Sequence, residues 1–172
     1  MRGTYRITLE MYVVTAGHCE EDMSTFAIRS APEMCACYRV EHGFDAHVDE
    51  HGQILLRTGS IDAVQLPIEL AERVFRELMR RDLPTPVIAN NRTDFWMLLT
   101  QGARPAERSV PRFGALYRHR VLMTSAGALI TLPGPDDRFR YWEVPPHGTC
   151  RPPFNDVVEV TLRLAHSLPE SV

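Results

Sequence analysis

The chain has 172 residues, 44% of them hydrophobic and 24% charged, which is ordinary for one globular domain. No apolar run approaches the roughly 20 residues of a membrane span, and residues 1–14 alternate polar and apolar types, unlike a signal peptide. The net charge of −3 argues against strong non-specific attraction to a polyanion. We therefore expect a soluble, cytoplasmic protein with no membrane partner.

The first third of the chain is predicted to be extended. Residues 4–14 alternate in the period of a half-buried strand, and residues 34–40 also favour an extended conformation. Residues 44–48 and 54–56 flank an Asp-Glu-His-Gly turn, which is typical of a hairpin. Residues 1–60 are therefore predicted to form an N-terminal antiparallel extension that packs on the rest of the protein.

Residues 61–172 are predicted to form the core. A strand over 61–66 leads through Pro67 into an amphipathic helix, and a second helix over 156–167 has Asn155 as its predicted N-cap. A polar loop is expected over 101–117. The remaining strands are predicted over 86–89, 95–99, 121–123, 129–132 and 140–144. This order predicts an α+β sandwich in one compact unit, with a mixed, mainly antiparallel sheet and two main helices.

Parts of this pattern resemble a known family. Residues 61–70, 86–102 and 117–146 are similar to the N-terminal domain of bifunctional DNA primase-polymerases of the archaeo-eukaryotic primase superfamily, and especially to its small stand-alone members. The shared features are a strand leading into a proline-led helix, a strand pair, a later apolar strand, and the Arg-Tyr-Trp segment at residues 140–142. The resemblance covers about half of the chain.

The catalytic motifs of that family are missing here. Active members carry Asp-x-Asp just before the proline, where this chain has Val64 and Leu66, and shifting the anchor to Asp62 supplies one acid only. The family's Gly-x-His strand falls at residues 92–96, which contain no histidine, and its third carboxylate falls at residues 121–123, which contain no acid. Two-metal catalysis needs carboxylates that hold cations about 4 Å apart, so the resemblance implies a noncatalytic relative.

A noncatalytic relative would act by binding. All 19 basic residues are arginine, whose planar guanidinium suits phosphates and aromatic faces. Residues 86–151 contain nine arginines and five acids, whereas residues 1–60 contain five arginines and nine acids. The predicted ligand is therefore a nucleic acid or nucleotide, bound by arginines with two aromatic rings as stacking faces: Arg92, Arg118, Arg120, Arg138, Arg140, Tyr141 and Trp142.

Two groups of residues could bind a metal. Asp45, His47 and Asp49 share one face if the strand continues, and such a stripe suits Zn²⁺ or Mn²⁺. The other candidate is a zinc site, although its Cys-x-Cys spacing is shorter than in zinc knuckles. Its ligands would be His18, Cys19, Cys35 and Cys37. The alternative explanations are a solvated hairpin face for the first group and buried thiols for the second.

Two further functions stay open. The chain is alternatively a protein-interaction or homo-oligomer module, in which the apolar strands and the rings of Trp96 and Trp142 meet another subunit. It is also a candidate small-molecule enzyme that uses the stripe at residues 45–51. Because the metal-binding carboxylates of the resembling family are absent, we expect a binding protein without a cofactor.

Overall fold

A computed structural model describes residues 30–166 of the chain. The predicted strand over residues 4–14 lies outside them. The fold is α+β, as predicted, and every strand pairing among the described residues is antiparallel. The helices are α1 (Ala31–His42), α2 (Ile68–Arg80), α3 (Val110–Tyr117) and α4 (Phe154–Ala165). The strands are β1 (Ala46–Val48), β2 (Ile54–Arg57), β3 (Ile61–Pro67), β4 (Val87–Asn90), β5 (Phe95–Gln101), β6 (Leu122–Met123), β7 (Leu129–Leu132) and β8 (Arg140–Val144).

The strands form two sheets where one was expected. The larger sheet has the order β6-β3-β5-β4-β8, and the smaller sheet has the order β1-β2-β7. The predicted hairpin of β1 and β2 is confirmed, with His47 opposite Leu55. Because β7 pairs along β2, with Leu56 opposite Ile130, the smaller sheet combines segments from both halves of the chain.

The predicted extended segment at residues 34–40 is wrong, since it lies within α1. Ser30 precedes the helix, and the Glu33 carboxylate accepts hydrogen bonds from the backbone N–H and the hydroxyl of Ser30. Gly43, with φ of 63°, ends the helix in the left-handed conformation that glycine tolerates. Tertiary packing decides the outcome, because a helix buries both Cys35 and Tyr38 on the side facing the larger sheet.

Other elements pack on both faces of the larger sheet. On one face α2 and α4 pack on Val64, Leu66 and Leu98, and the predicted apolar stripe of α2 is confirmed by the burial of its residues Leu70, Ala71, Val74 and Leu78. On the other face the smaller sheet and α1 cover Ile61, Ala63 and Leu99. The domain is therefore a three-layer sandwich with the larger sheet in the middle.

The polar loop predicted over residues 101–117, between β5 and β6, is in part helical. It contains a 3₁₀ turn, Pro105–Glu107, followed by α3. The α4 helix also begins earlier than predicted, at Phe154. Asn155 lies inside the first turn of α4. Its side-chain amide accepts a hydrogen bond from the Arg112 guanidinium and donates one to the Glu159 carboxylate. No helix within residues 30–166 has the length and apolarity that crossing a membrane requires.

Candidate ligand-binding groove

The candidate site begins with a row of side chains across the larger sheet. Strand register places Leu122, Gln65, Met97, Ile88 and Trp142 side by side on the face that is turned toward the smaller sheet. The smaller sheet does not cover this row completely, since Gln65 and Met97 are half-buried and Leu122 is 48% exposed. The uncovered part of the sheet face is the floor of a groove.

A second row continues the floor toward the strand ends. Phe95, Asn90 and Arg140 extend from the same face, two positions beyond Met97, Ile88 and Trp142 along their strands. The opposite wall is Leu129, Ile130 and Thr131 of β7. We call this space of about 280 Å³ the inter-sheet groove. Its wall strand β7 is an edge strand, with no strand neighbour on its outer side among the described residues, so its outward backbone groups are available to a ligand.

A second compartment adjoins the inter-sheet groove. It has a volume of about 370 Å³ and is lined by the β1–β2 turn, β7 and the loop from β7 to β8. Thr131 and Arg140 line both compartments, so the two meet at these residues. The lining of the first combines apolar side chains with Gln65, Asn90 and Arg140, whereas the second contains Asp136, Asp137 and Arg138.

Arg140 is held in place where the compartments meet. The Oδ1 atom of Asp137 accepts hydrogen bonds from the backbone N–H groups of Phe139 and Arg140 at 3.0 and 2.9 Å. Its Oδ2 atom accepts a hydrogen bond from the Nε–H of Arg140 at 2.7 Å. Burial alone would raise the pKa of Asp137, but these hydrogen bonds and the guanidinium charge together lower it. Asp137 is therefore a carboxylate that fixes the orientation of Arg140.

Two further arginines stack on phenylalanine rings at the groove. The guanidinium carbon of Arg92 lies 3.3 Å from the centre of the Phe139 ring, and that of Arg120 lies 5.0 Å from the centre of the Phe95 ring. Phe139 lines the second compartment and Phe95 the first. Within residues 30–166 neither arginine forms an ion pair.

The sequence-predicted binding residues are thus partly brought together. Arg138 and Arg140 line the compartments, and Arg92 and Arg120 stack on phenylalanine rings that line them. The side-chain amide and backbone N–H of Asn91 join the Arg92 turn to the carbonyls of Arg138 and Phe139. Arg118 is exposed beyond the end of α3. The phenylalanines that line the two compartments, Phe95 and Phe139, were not among the predicted binding residues. Only their positions beside turn residues could have suggested them.

The two rings predicted as stacking faces line neither compartment. Tyr141 extends from the helix-bearing face of the sheet, opposite to Arg140, because neighbouring residues of a strand alternate. Trp142 donates its indole N–H to the Tyr38 hydroxyl at 2.7 Å and packs against Tyr38 and Phe44. The other predicted interface ring, Trp96, is 8% exposed in the helix-side core.

The positions that the family resemblance assigns to metal ligands are part of the core. Val64, Leu66 and Met123 are at most 9% exposed and pack beneath α2 and α4. The acid on that strand, Asp62, is fully buried and binds the guanidinium of Arg108 at 2.5 Å. These residues do not fit a pair of catalytic cations, because aliphatic groups offer no oxygen and the single carboxylate already has a partner.

The predicted metal ligands do not converge within the described residues. Asp49 turns from the stripe to cap the β1–β2 turn, where its Oδ1 accepts the N–H groups of His51 and Gln53 at 2.9 and 2.8 Å. Cys35 and Cys37 lie two positions apart on a helix and so point in different directions. Burial raises the pKa of the Cys35 thiol against the effect of Arg39. His18 and Cys19 lie outside the described residues, and residues 30–166 contain no cluster of three or more potential ligands.

Comparisons with protein-family models, with curated proteins and with solved structures found no match to this chain.

Proposed function

We propose that this protein is a noncatalytic domain, similar to primase-polymerases, that binds a nucleotide or single-stranded nucleic acid in the inter-sheet groove. The observation that carries the proposal is that Arg140 lines the inter-sheet groove and Arg138 lines the compartment beside it, while Arg92 and Arg120 stack on phenylalanine rings that line these two spaces. Planar bases favour apolar and aromatic surfaces, and phosphates favour guanidinium groups. The groove offers both within one site.

The proposal of binding without catalysis is supported by the core positions of Val64, Leu66 and Met123. Two-metal nucleotidyl transfer depends on carboxylates at the reacting atoms. The groove face of β3 offers Ala63, which is buried, and Gln65, whose amide is a neutral hydrogen-bonding group. A bound ligand would therefore be held without activation.

The charge distribution predicts weak, salt-sensitive binding. The whole chain has a net charge of −3, so long-range attraction of a polyanion is small and affinity depends on the few arginines at the groove. Non-specific single-site affinities of such proteins are on the order of 10⁻⁴ to 10⁻⁶ M at physiological salt. We expect affinities in this range.

The test is fluorescence anisotropy of labelled single-stranded DNA at low ionic strength. The double variant Arg92→Gln with Arg138→Gln should weaken binding by about tenfold, which corresponds to roughly 1.4 kcal/mol. Arg76→Gln is the matched control, because Arg76 is exposed on α2, on the opposite side of the larger sheet. The absence of binding at high micromolar protein, or an equal loss in the Arg76 variant, would rule the proposal out.

A further inference from the structure

The two compartments adjoin each other, and we call them together the trough. They share Thr131 and Arg140, and their volumes are about 280 and 370 Å³. A site for one small molecule typically occupies about 300–1,000 Å³, so each compartment is near the lower end of what a single unit requires. A ligand that fills both has two linked units.

Arg140 lies at the junction with part of its hydrogen-bonding capacity unused. Its Nε is bound to Asp137, and its side chain is 28% exposed. Its two terminal nitrogens have no hydrogen-bond acceptor among the described residues. A guanidinium with one nitrogen fixed by a carboxylate can bind an anion through its terminal nitrogens without losing further side-chain freedom. The group best suited to this position is an anionic link between two units.

Each compartment is lined by a phenylalanine that stacks with an arginine. Phe95 lines the first compartment and stacks with Arg120, and Phe139 lines the second and stacks with Arg92. Phe95 and Arg140 are on strands that are two neighbours apart in the sheet, which corresponds to about 10 Å. Guanidinium groups therefore recur along the trough, beside the carboxylates of Asp136 and Asp137 in the second compartment, and this repetition fits a chain of phosphates better than a single phosphate group.

We infer that the occupant of this trough is a single-stranded oligonucleotide of at least two units, which lies across both compartments with its linking phosphate at Arg140. This inference rests on the proposed function. A strand in this position stacks one base near Phe95 and the next near Phe139. It also places flanking phosphates within reach of Arg120 and Arg138.

The experiment is a length series of oligodeoxythymidylates, from the mononucleotide to the octamer, in competition with a labelled octamer. Affinity should rise by at least about tenfold from the mononucleotide to the tetramer. The logarithm of octamer affinity should fall with the logarithm of salt concentration with a slope near −2, since about three phosphates are contacted and each contributes about 0.7 for single strands. Arg120→Gln and Arg138→Gln should each weaken the octamer severalfold, whereas Arg76→Gln should not.

The outcomes separate this inference from the proposed function. If no ligand of any length binds, both fail. If the mononucleotide binds as tightly as the tetramer, or if either Arg120→Gln or Arg138→Gln leaves octamer affinity unchanged, the two-compartment inference fails and the proposed function stands. The two-compartment inference is supported if both variants bind the octamer more weakly while at most one of them binds the mononucleotide more weakly. Matched thermal melting curves show that the variants are folded.

Discussion

Asp62 on β3 and Arg108, which follows the 3₁₀ turn, form an ion pair in which the carboxylate is completely buried and the guanidinium side chain is 17% exposed. Asp62 also accepts the backbone N–H of Ala103 at 2.6 Å and the Thr124 hydroxyl at 3.1 Å. Arg108 in turn donates to the Thr124 carbonyl at 2.6 Å. This network fastens the β5–β6 connection to the sheet.

Asp62→Ala is therefore expected to destabilise the protein by about 3–5 kcal/mol, because it leaves a mostly buried guanidinium without its counter-charge. Urea unfolding at neutral pH measures the change. The double variant Asp62→Leu with Arg108→Met should recover much of the loss, since it removes both charges together. The pair has no stabilising role if Asp62→Ala unfolds at the same urea concentration as the unaltered protein.

Tyr38→Phe should cost about 1–3 kcal/mol. The Tyr38 hydroxyl donates to the Pro133 carbonyl at 2.8 Å and accepts the Trp142 indole N–H, so its removal leaves two groups unsatisfied. Burial also raises the pKa of Tyr38, while the Trp142 hydrogen bond opposes that effect. Tryptophan fluorescence during urea unfolding reports the change, and Tyr117→Phe, at a residue 70% exposed, should have almost no effect.

Arg120 occupies a backbone position that favours glycine. Its φ is 59°, and the Arg120 and Val121 N–H groups donate to Tyr117 and Leu116, which is a Schellman ending of α3. Arg120→Gly should be more stable than Arg120→Ala by about 1 kcal/mol, as thermal melting would show. Both variants should lose oligonucleotide affinity equally, because both lack the guanidinium. A larger loss of affinity in one variant would mean that the backbone, and not the charge, contributes to binding.

The lowered pKa of Glu77 predicts that the free energy of unfolding depends on pH. Hydrogen bonds from Arg80, Arg163 and Arg81 lower the pKa of Glu77 from 4.5 to about 2. Because the folded-state pKa is the lower one, the stabilisation is complete above pH 4.5 and is lost as the pH falls toward 2. The unfolding free energies of the unaltered protein and Glu77→Gln should therefore converge over this interval. Glu72→Gln, on the same helix, is the control, and a gap that stays constant with pH would contradict the prediction.

Replacement of glycine by alanine is expected to have opposite effects on stability at two positions, Gly102 and Gly114. A Cβ at Gly102 would collide with the carbonyl oxygen of Gly59, where the backbones approach and Gly102 N–H donates to Ser60. Gly102→Ala should therefore cost about 1–3 kcal/mol. A Cβ at Gly114, in α3, would meet open space, so Gly114→Ala should add about 1 kcal/mol through helix propensity. Differential scanning calorimetry should show a lower melting temperature for Gly102→Ala and a higher one for Gly114→Ala than for the unaltered protein.

Much of the fold could be predicted from local patterns. The β1–β2 and β4–β5 hairpins follow from apolar runs that flank turn residues, and α2 follows from an apolar stripe with helical spacing. The α1 segment could not be assigned in this way, because its apolar residues fit a strand equally well. The Ser30 and Gly43 boundary residues were the available signal for a helix.

The candidate site was predictable only as a set of residue types. Charge segregation pointed to arginines in the second half of the chain, and Arg92, Arg138 and Arg140 do lie together. The groove itself depends on the pairing of β2 with β7 and on the part of the larger sheet that this pairing leaves uncovered. No local pattern specifies such a pairing, since it is selected by the burial of distant side chains against each other.

By itself, the sequence determined strands and helices where a local pattern specifies them, either through the periodicity of apolar side chains or through turn residues at the ends of a segment. It also determined that β3 carries one carboxylate, Asp62, and aliphatic residues at Val64 and Leu66. Only the tertiary structure decided that Asp62 is bound to Arg108, that Trp142 is bound to Tyr38, and that Arg140 lies between two compartments. These outcomes join residues far apart in the chain, and their partners are chosen by packing and by the cost of leaving buried polar groups unpaired.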